Sequence, residues 1–179
     1  MEKKKRLAID MDGVLCDLTA VWLQQYNNDY NDNLTPEDAT CWGLEKIVKS
    51  DCGKKIYNYL ENGKIFGDLP VIKDSQRIVE ELSKEYELFV VTTPFNNRSI
   101  EPKSFWLRKH FPMINPKHFV FTWSKSIVMA DYMLDDKPSN FDGFVGTGIL
   151  FEAPHNRNET RYKRALDWEH VKWFLLGGG

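Results

Sequence analysis

Asp10 and Asp12, separated only by Met11 and followed by Gly13, close a short apolar run near the start of the chain. In an extended segment residues i and i+2 project to the same side, so both carboxylates can reach one small volume beyond a strand end. Gly13 would let the chain turn sharply away at that point. Two like charges held so close repel unless a cation or a shared proton intervenes. The spacing suits a Mg²⁺ ion with one acid/base group, although Asp-x-Asp-Gly also occurs in ordinary turns and calcium loops.

Three further places carry reactive groups: Thr92-Thr93-Pro94, Lys125 in Thr122-Trp123-Ser124-Lys125, and Asp135-Asp136 before Lys137-Pro138. Taken singly, these are a strand end, a solvated cation at a helix start, and a turn. Their meaning depends on whether the fold gathers them.

The elements that would do so are legible. Strand-like runs occur at Leu7–Asp10, Leu88–Thr92, Phe119–Thr122, Tyr132–Leu134 and Gly148–Phe151. They are short, β-branched or aromatic, and nearly continuous in hydrophobicity, as strands buried on both faces of a parallel sheet must be. Helical patterns are predicted over Ser75–Tyr86 (with Ser75 as N-cap), Ser104–Phe111, Ser126–Ala130 and Asp167–Leu176. Alternating β and α units imply an α/β fold, a Rossmann-like doubly wound parallel sheet. The interval 17–73 is too long for one crossover helix. Its stripe of Leu18, Val21, Trp22 and Tyr26, a helix start at Thr35-Pro36-Glu37-Asp38 and a short helix over Lys54–Leu60 predict a small helical cap inserted after the first strand. The expected division is therefore 1–16 with 74–179 as core, and 17–73 as cap. Ligands of open parallel sheets bind beyond the carboxyl ends of the strands. There Asp10, Asp12, Thr92, Thr93, Lys125, Asp135 and Asp136 would share one edge.

Those motifs, in that order, strongly resemble the haloacid dehalogenase-like phosphohydrolase superfamily. The resemblance implies an aspartate nucleophile at Asp10, a general acid/base at Asp12, a phosphoryl-binding hydroxyl at Thr92, the motif lysine at Lys125 and a metal-binding pair at Asp135-Asp136. The implied cofactor is Mg²⁺, held by Asp10, the Asp12 backbone carbonyl and one of Asp135 and Asp136, with a leaning toward Asp136. This chemistry is coherent: in-line attack by Asp10, proton transfer by Asp12, and cations absorbing charge on the equatorial oxygens. Within the superfamily, Asp10 to Asp17, Thr92-Thr93-Pro94, Phe105 to Phe111, Thr122 to Lys125, Leu134 to Pro138 and His155-Asn156 are similar to the 5′(3′)-deoxyribonucleotidases. That likeness implies a deoxyribonucleoside monophosphate as substrate, with Thr93 also at the phosphate and Trp42 stacking on the base. Leu18 and Leu60 fall where the family has aromatics, and Trp123 where it has an arginine. A phosphatase of another small ester, such as a sugar phosphate, and a non-catalytic nucleotide-binding module are the competing expectations. Trp22, Trp106, Trp168 and Trp173 are expected in the core, and His155 in a structural role.

Composition bounds the rest. The 179 residues, 42% hydrophobic, suit one globular domain with a modest insertion, and a net charge of −2 attracts neither nucleic acid polymers nor anionic membranes. Lys3 to Arg6 is expected as a solvated tail, and Gly177-Gly178-Gly179 as a frayed end. Cys16, Cys41 and Cys52 form no disulfide or zinc pattern, which fits a reducing cytoplasm. No signal peptide or membrane span is expected. A homodimer is compatible with the sequence.

Overall fold

The computed structural model describes residues 3–177, so Gly178 and Gly179 of the expected frayed end lie outside the described residues. Six strands form one all-parallel sheet: β1 (Lys5–Ile9), β2 (Tyr86–Thr92), β3 (Phe119–Phe121), β4 (Tyr132–Asp135), β5 (Thr147–Phe151) and β6 (Lys163–Ala165), in the order β3-β2-β1-β4-β5-β6. The chain builds outward from β1 on one side, then crosses to β4 on the other. The reversal therefore lies between β1 and β4, and a crevice opens there. Leu7, Ala8 and Ile9 are wholly buried. Leu7 and Ile9 pack into the larger core, while Ala8 joins Val91, Met133, Phe141 and Leu150 on the opposite face, which is why the run needs no polar alternation.

The main helices are α1 (Leu18–Tyr30), α2 (Asn58–Glu61), α3 (Ser75–Glu85), α4 (Ile100–His110) and α5 (Trp168–Leu176). Between β1 and β2, α1 is followed mostly by single 3₁₀ turns at Pro36–Asp38, Leu44–Lys46, Gly53–Tyr57 and Lys64–Gly67. Thr35 does start a capped turn, its backbone amide and hydroxyl both donating to Asp38 at 2.7 Å, but the turn stops after three residues. The interval enters and leaves side by side: the Asp17 amide donates to the Pro70 carbonyl, the Ile72 amide to the Leu15 carbonyl, both at 2.9 Å, and Cys16 bridges antiparallel to Val71. Its apolar residues, including Trp22, Tyr26, Ile56 and Phe66, merge into the same core as the sheet.

Several expectations need correction. Ser126–Ala130 is not a helix: one turn over Lys125–Ile127 leads into extended chain, since Lys125 is drawn inward and β-branched Ile127 and Val128 resist helical χ1 restriction. The cap of α3 is Asp74, in the left-handed region, while Ser75 is buried with its hydroxyl donating to the Ile72 carbonyl at 2.6 Å. Tyr86 opens β2 rather than ending α3. Lys5 and Arg6 belong to β1, not to a tail, and Lys4 Nζ caps carbonyls at the end of α3. Trp173 is 57% exposed, unlike the buried Trp22, Trp106 and Trp168. Strand β6 has no apolar run to announce it; Lys163 and Arg164 are the charges an edge strand tolerates. Among the described residues no helix is long and apolar enough to cross a membrane.

Candidate active site

Asp10 follows β1 directly, and its amide still donates to the Leu134 carbonyl (2.9 Å), so the strand geometry fixes its direction. Met11 turns into the core and is wholly buried, while Asp10 and Asp12 both face a cavity of about 410 Å³, as i, i+2 spacing requires. Beyond Asp12 the chain doubles back: the Met11 carbonyl accepts from the Leu15 (2.8 Å) and Cys16 (3.1 Å) amides, and Gly13 adopts φ +77°. A Cβ on Gly13 would lie 2.5 Å from Asp136 Oδ2, so glycine is required here for close approach as well as for φ.

Lys125 is buried. Its Nζ lies 2.7 Å from both Asp10 Oδ1 and Asp135 Oδ2, tying the ends of β1 and β4 to the turn after β3. Burial pulls the lysine's pKa down, but Asp10 and Asp135 outweigh it and hold the ammonium above its ordinary value. Asp135 is fully buried and its other oxygen accepts from the Lys137 amide (2.9 Å) and Asn140 Nδ2 (2.8 Å), so it is engaged on all sides and does not line the cavity. Asp136 does line it. Its backbone carbonyl accepts from Asn156 Nδ2 (2.7 Å) and lies 3.1 Å from His155 Nε2, which aims the carboxylate inward. Burial first, then the charges of Asp10 and Asp135, push the Asp136 carboxyl well above the usual range. Oxygens of Asp10, Asp135 and Asp136 lie within 4.8 Å of one another. Three clustered carboxylates facing one lysine leave excess negative charge, and their hard oxygens are the donor set a divalent ion prefers. The cluster fits a metal ion.

The two threonines separate. Thr93 lines the cavity beside Pro94 and Phe95, whereas Thr92 is buried with its hydroxyl accepting from Lys103 Nζ at 2.9 Å. Trp42 and Leu18 both line the cavity, as does Leu60. Trp42 is 54% exposed, stands edge-on to His155 with centroids 5.1 Å apart, and carries Lys137 Nζ 4.3 Å above its ring. Trp123 also reaches the wall, largely exposed. The core tryptophan Trp22, its indole N–H donating to the Ile56 carbonyl at 2.7 Å, contributes to the floor. Tyr57 and Phe95 add two nearly parallel rings, 9° apart in plane.

Lys103, wholly buried at the site, escapes motif reading because no motif contains it. It lies on the inward face of α4 with Trp106 and Leu107, at i, i+3 and i+4, and that apolar periodicity is the signal that marks a lysine facing inward. His155, expected to be structural, is placed against Asp136 and Trp42.

Comparison with known proteins narrows the reading. A family described as "5′ nucleotidase, deoxy (Pyrimidine), cytosolic type C protein" matches residues 4–177. A 5′(3′)-deoxyribonucleotidase of Bacillus subtilis (strain 168) is 42% identical over 175 residues, covering 97% of this chain and 99% of its own. One from Clostridium acetobutylicum is 37% identical over 169 residues, covering 94% and 93%. Among solved structures, magnesium-bound YfnB of Bacillus subtilis matches with a TM-score of 0.63 at 11% identity, over 97% of this chain and 99% of that one. A haloacid dehalogenase-like family hydrolase of Streptococcus pneumoniae matches at 0.62 and 12%, over 96% and 98%. These two likenesses speak to the fold alone.

Proposed function

The chain belongs to the 5′(3′)-deoxyribonucleotidase family, phosphoric monoester hydrolases of haloacid dehalogenase-like fold, and from that premise we propose that it hydrolyses deoxyribonucleoside monophosphates to nucleoside and phosphate through an aspartyl-phosphate on Asp10. The observation that carries the reading is the shared opening of Asp10, Asp12, Lys125 and Asp136 onto one cavity. Asp10 attacks phosphorus in line with the leaving oxygen, forming the acyl phosphate. Asp12, on the same side of the chain, gives a proton to the departing alkoxide and later takes one from the water that hydrolyses the intermediate. Lys125 offsets charge on the phosphoryl oxygens while keeping Asp10 directed. Thr93 meets the phosphate from the cavity wall, with Thr92 behind it on the same strand end. Asp10, Asp136 and the Asp12 carbonyl would hold Mg²⁺, which supplies charge neutralisation at the phosphoryl oxygens. Asp135, its oxygens already committed, would steady Lys125 from behind.

Residues 17–73 act as the cap in this reading. Trp42, Leu18 and the neighbouring rings form the apolar end of the cavity and receive the base. Stacking there is worth about 1–3 kcal/mol per base. We place the protein in the cytoplasm, a reading supported by its three free cysteines. The test is phosphate release from a panel of deoxyribonucleoside and sugar monophosphates. Asp10→Asn should abolish turnover, and excess EDTA should do the same until Mg²⁺ is restored. Preference for sugar phosphates would overturn the substrate; turnover by Asp10→Asn would overturn the mechanism.

A further inference from the structure

We propose that Lys103 is a positioning residue for the hydrolytic reaction, clamping the Asp12 carboxylate in the orientation that proton transfer needs. Its side chain is wholly buried, which is costly for an ammonium unless every N–H finds an acceptor. All three do: Nζ lies 2.5 Å from Asp12 Oδ2, 2.9 Å from Thr92 Oγ1 and 3.0 Å from the Thr93 carbonyl. Asp12 Oδ1 in turn lies 3.7 Å from the Cys16 thiol, so both carboxylate oxygens are contacted. The three acceptors belong to the ends of β1 and β2, and the ammonium also sits 4.8 Å from the ring centroid of Phe66, which lines the cavity from the 17–73 interval. Lys103 does not line the cavity itself. It acts through Asp12, on which the Asp12 proton-transfer reading is assumed.

Removing one partner of a buried ion pair destabilises a fold whatever the pair is for, so stability does not identify the role, whereas a lysine that aims a proton donor leaves a kinetic signature. A nucleoside alkoxide must be protonated as it leaves; p-nitrophenolate need not be. The experiment compares kcat/KM for a deoxyribonucleoside monophosphate and for p-nitrophenyl phosphate, with Mg²⁺ present, in wild type, Lys103→Met, Asp12→Asn and the double variant. Lys103→Met should lower kcat/KM for the nucleotide by about 10²-fold, at the lower end of what a positioned acid/base group contributes, and for the aryl ester by much less. In the Asp12→Asn background it should cost nothing further. Equal losses on both esters, or a full additional loss beside Asp12→Asn, would mean a structural role and overturn the proposal, as would undiminished nucleotide turnover by Lys103→Met. Wild-type turnover by Asp12→Asn would instead overturn the Asp12 reading and this proposal with it. If Lys103→Met fails to fold by circular dichroism, Lys103→Gln, which keeps a polar head, carries the same comparison.

Discussion

At the scale of single residues the site depends on close approach as much as on charge. Gly13 shows this most directly. Alanine at that position would meet Asp136 Oδ2 at 2.5 Å and would sit at φ +77°, so both the turn and the inward carboxylate would have to shift. Gly13→Ala should therefore fold but lose turnover by about 10²-fold, the scale set by an ångström of misplacement at a reacting centre. A matched loss of apparent Mg²⁺ affinity, read from activity against metal concentration, would trace the effect to Asp136. Unchanged kinetics would show that the carboxylate has slack the geometry does not suggest. The asymmetry of Asp135 and Asp136 has the same origin. The first is held by Lys125, Asn140 and the Lys137 amide, and the second, aimed by Asn156, is the one that meets the cavity. Their order in the chain shows the pair but not this division, because neither Asn140 nor Asn156 stands beside them in sequence.

At the scale of elements, what was legible follows from periodicity. Leu7 to Ile9 and Leu88 to Thr92 are continuous apolar runs because both faces of those strands are covered, and that pattern reports burial without any knowledge of partners. Strand β6 was invisible for the converse reason: an edge strand of Lys163, Arg164 and Ala165 derives its place from pairing with Ile149 to Phe151, not from its own hydrophobicity. The loss of the expected helix at Ser126–Ala130 has a tertiary cause, the inward pull of Lys125, which local propensity cannot register. Lys103 lay on a recognisable apolar stripe, but its charge argues for solvent until Asp12 and Thr92 are placed around it. Helix α4 itself is anchored by Trp106, wholly buried, whose indole N–H donates to the Leu69 carbonyl at 2.8 Å where the 17–73 interval rejoins the core. Trp106→Ala should cost about 3–5 kcal/mol through the cavity left behind, a fall in Tm of roughly 6–20 °C for a chain of this size. Thermal unfolding followed by circular dichroism measures it, and a loss under about 1 kcal/mol would mean that the site collapses without a cavity.

At the scale of the whole molecule, the core under the sheet and the core of the 17–73 interval are one cluster, so a perturbation near their junction is felt by global stability. His110, at the end of α4, sits there against the Trp106 ring with centroids 4.7 Å apart, and its Nε2 is buried without a hydrogen-bond partner among the described residues. Burial first, then the neighbouring Lys109, hold its imidazole below the ordinary histidine value, while Asp68 opposes them weakly. A base whose pKa is lower folded than unfolded binds more protons in the unfolded state. Stability is therefore highest above the unfolded histidine range, near pH 6.5, and declines as pH falls through it toward the folded value. His155 is lowered by its own burial and adds a slope of the same sign. Asp135 and Asp136, held above the usual carboxylate range by burial, contribute slopes of the opposite sign over the same interval, so the contribution of His110 is read by difference. Between about pH 7.5 and 5.5, urea unfolding free energies should shift toward lower stability on acidification more in wild type than in His110→Phe, which keeps a ring against Trp106. An identical pH dependence in the two proteins would show that the imidazole is protonated as readily in the fold as in the unfolded chain.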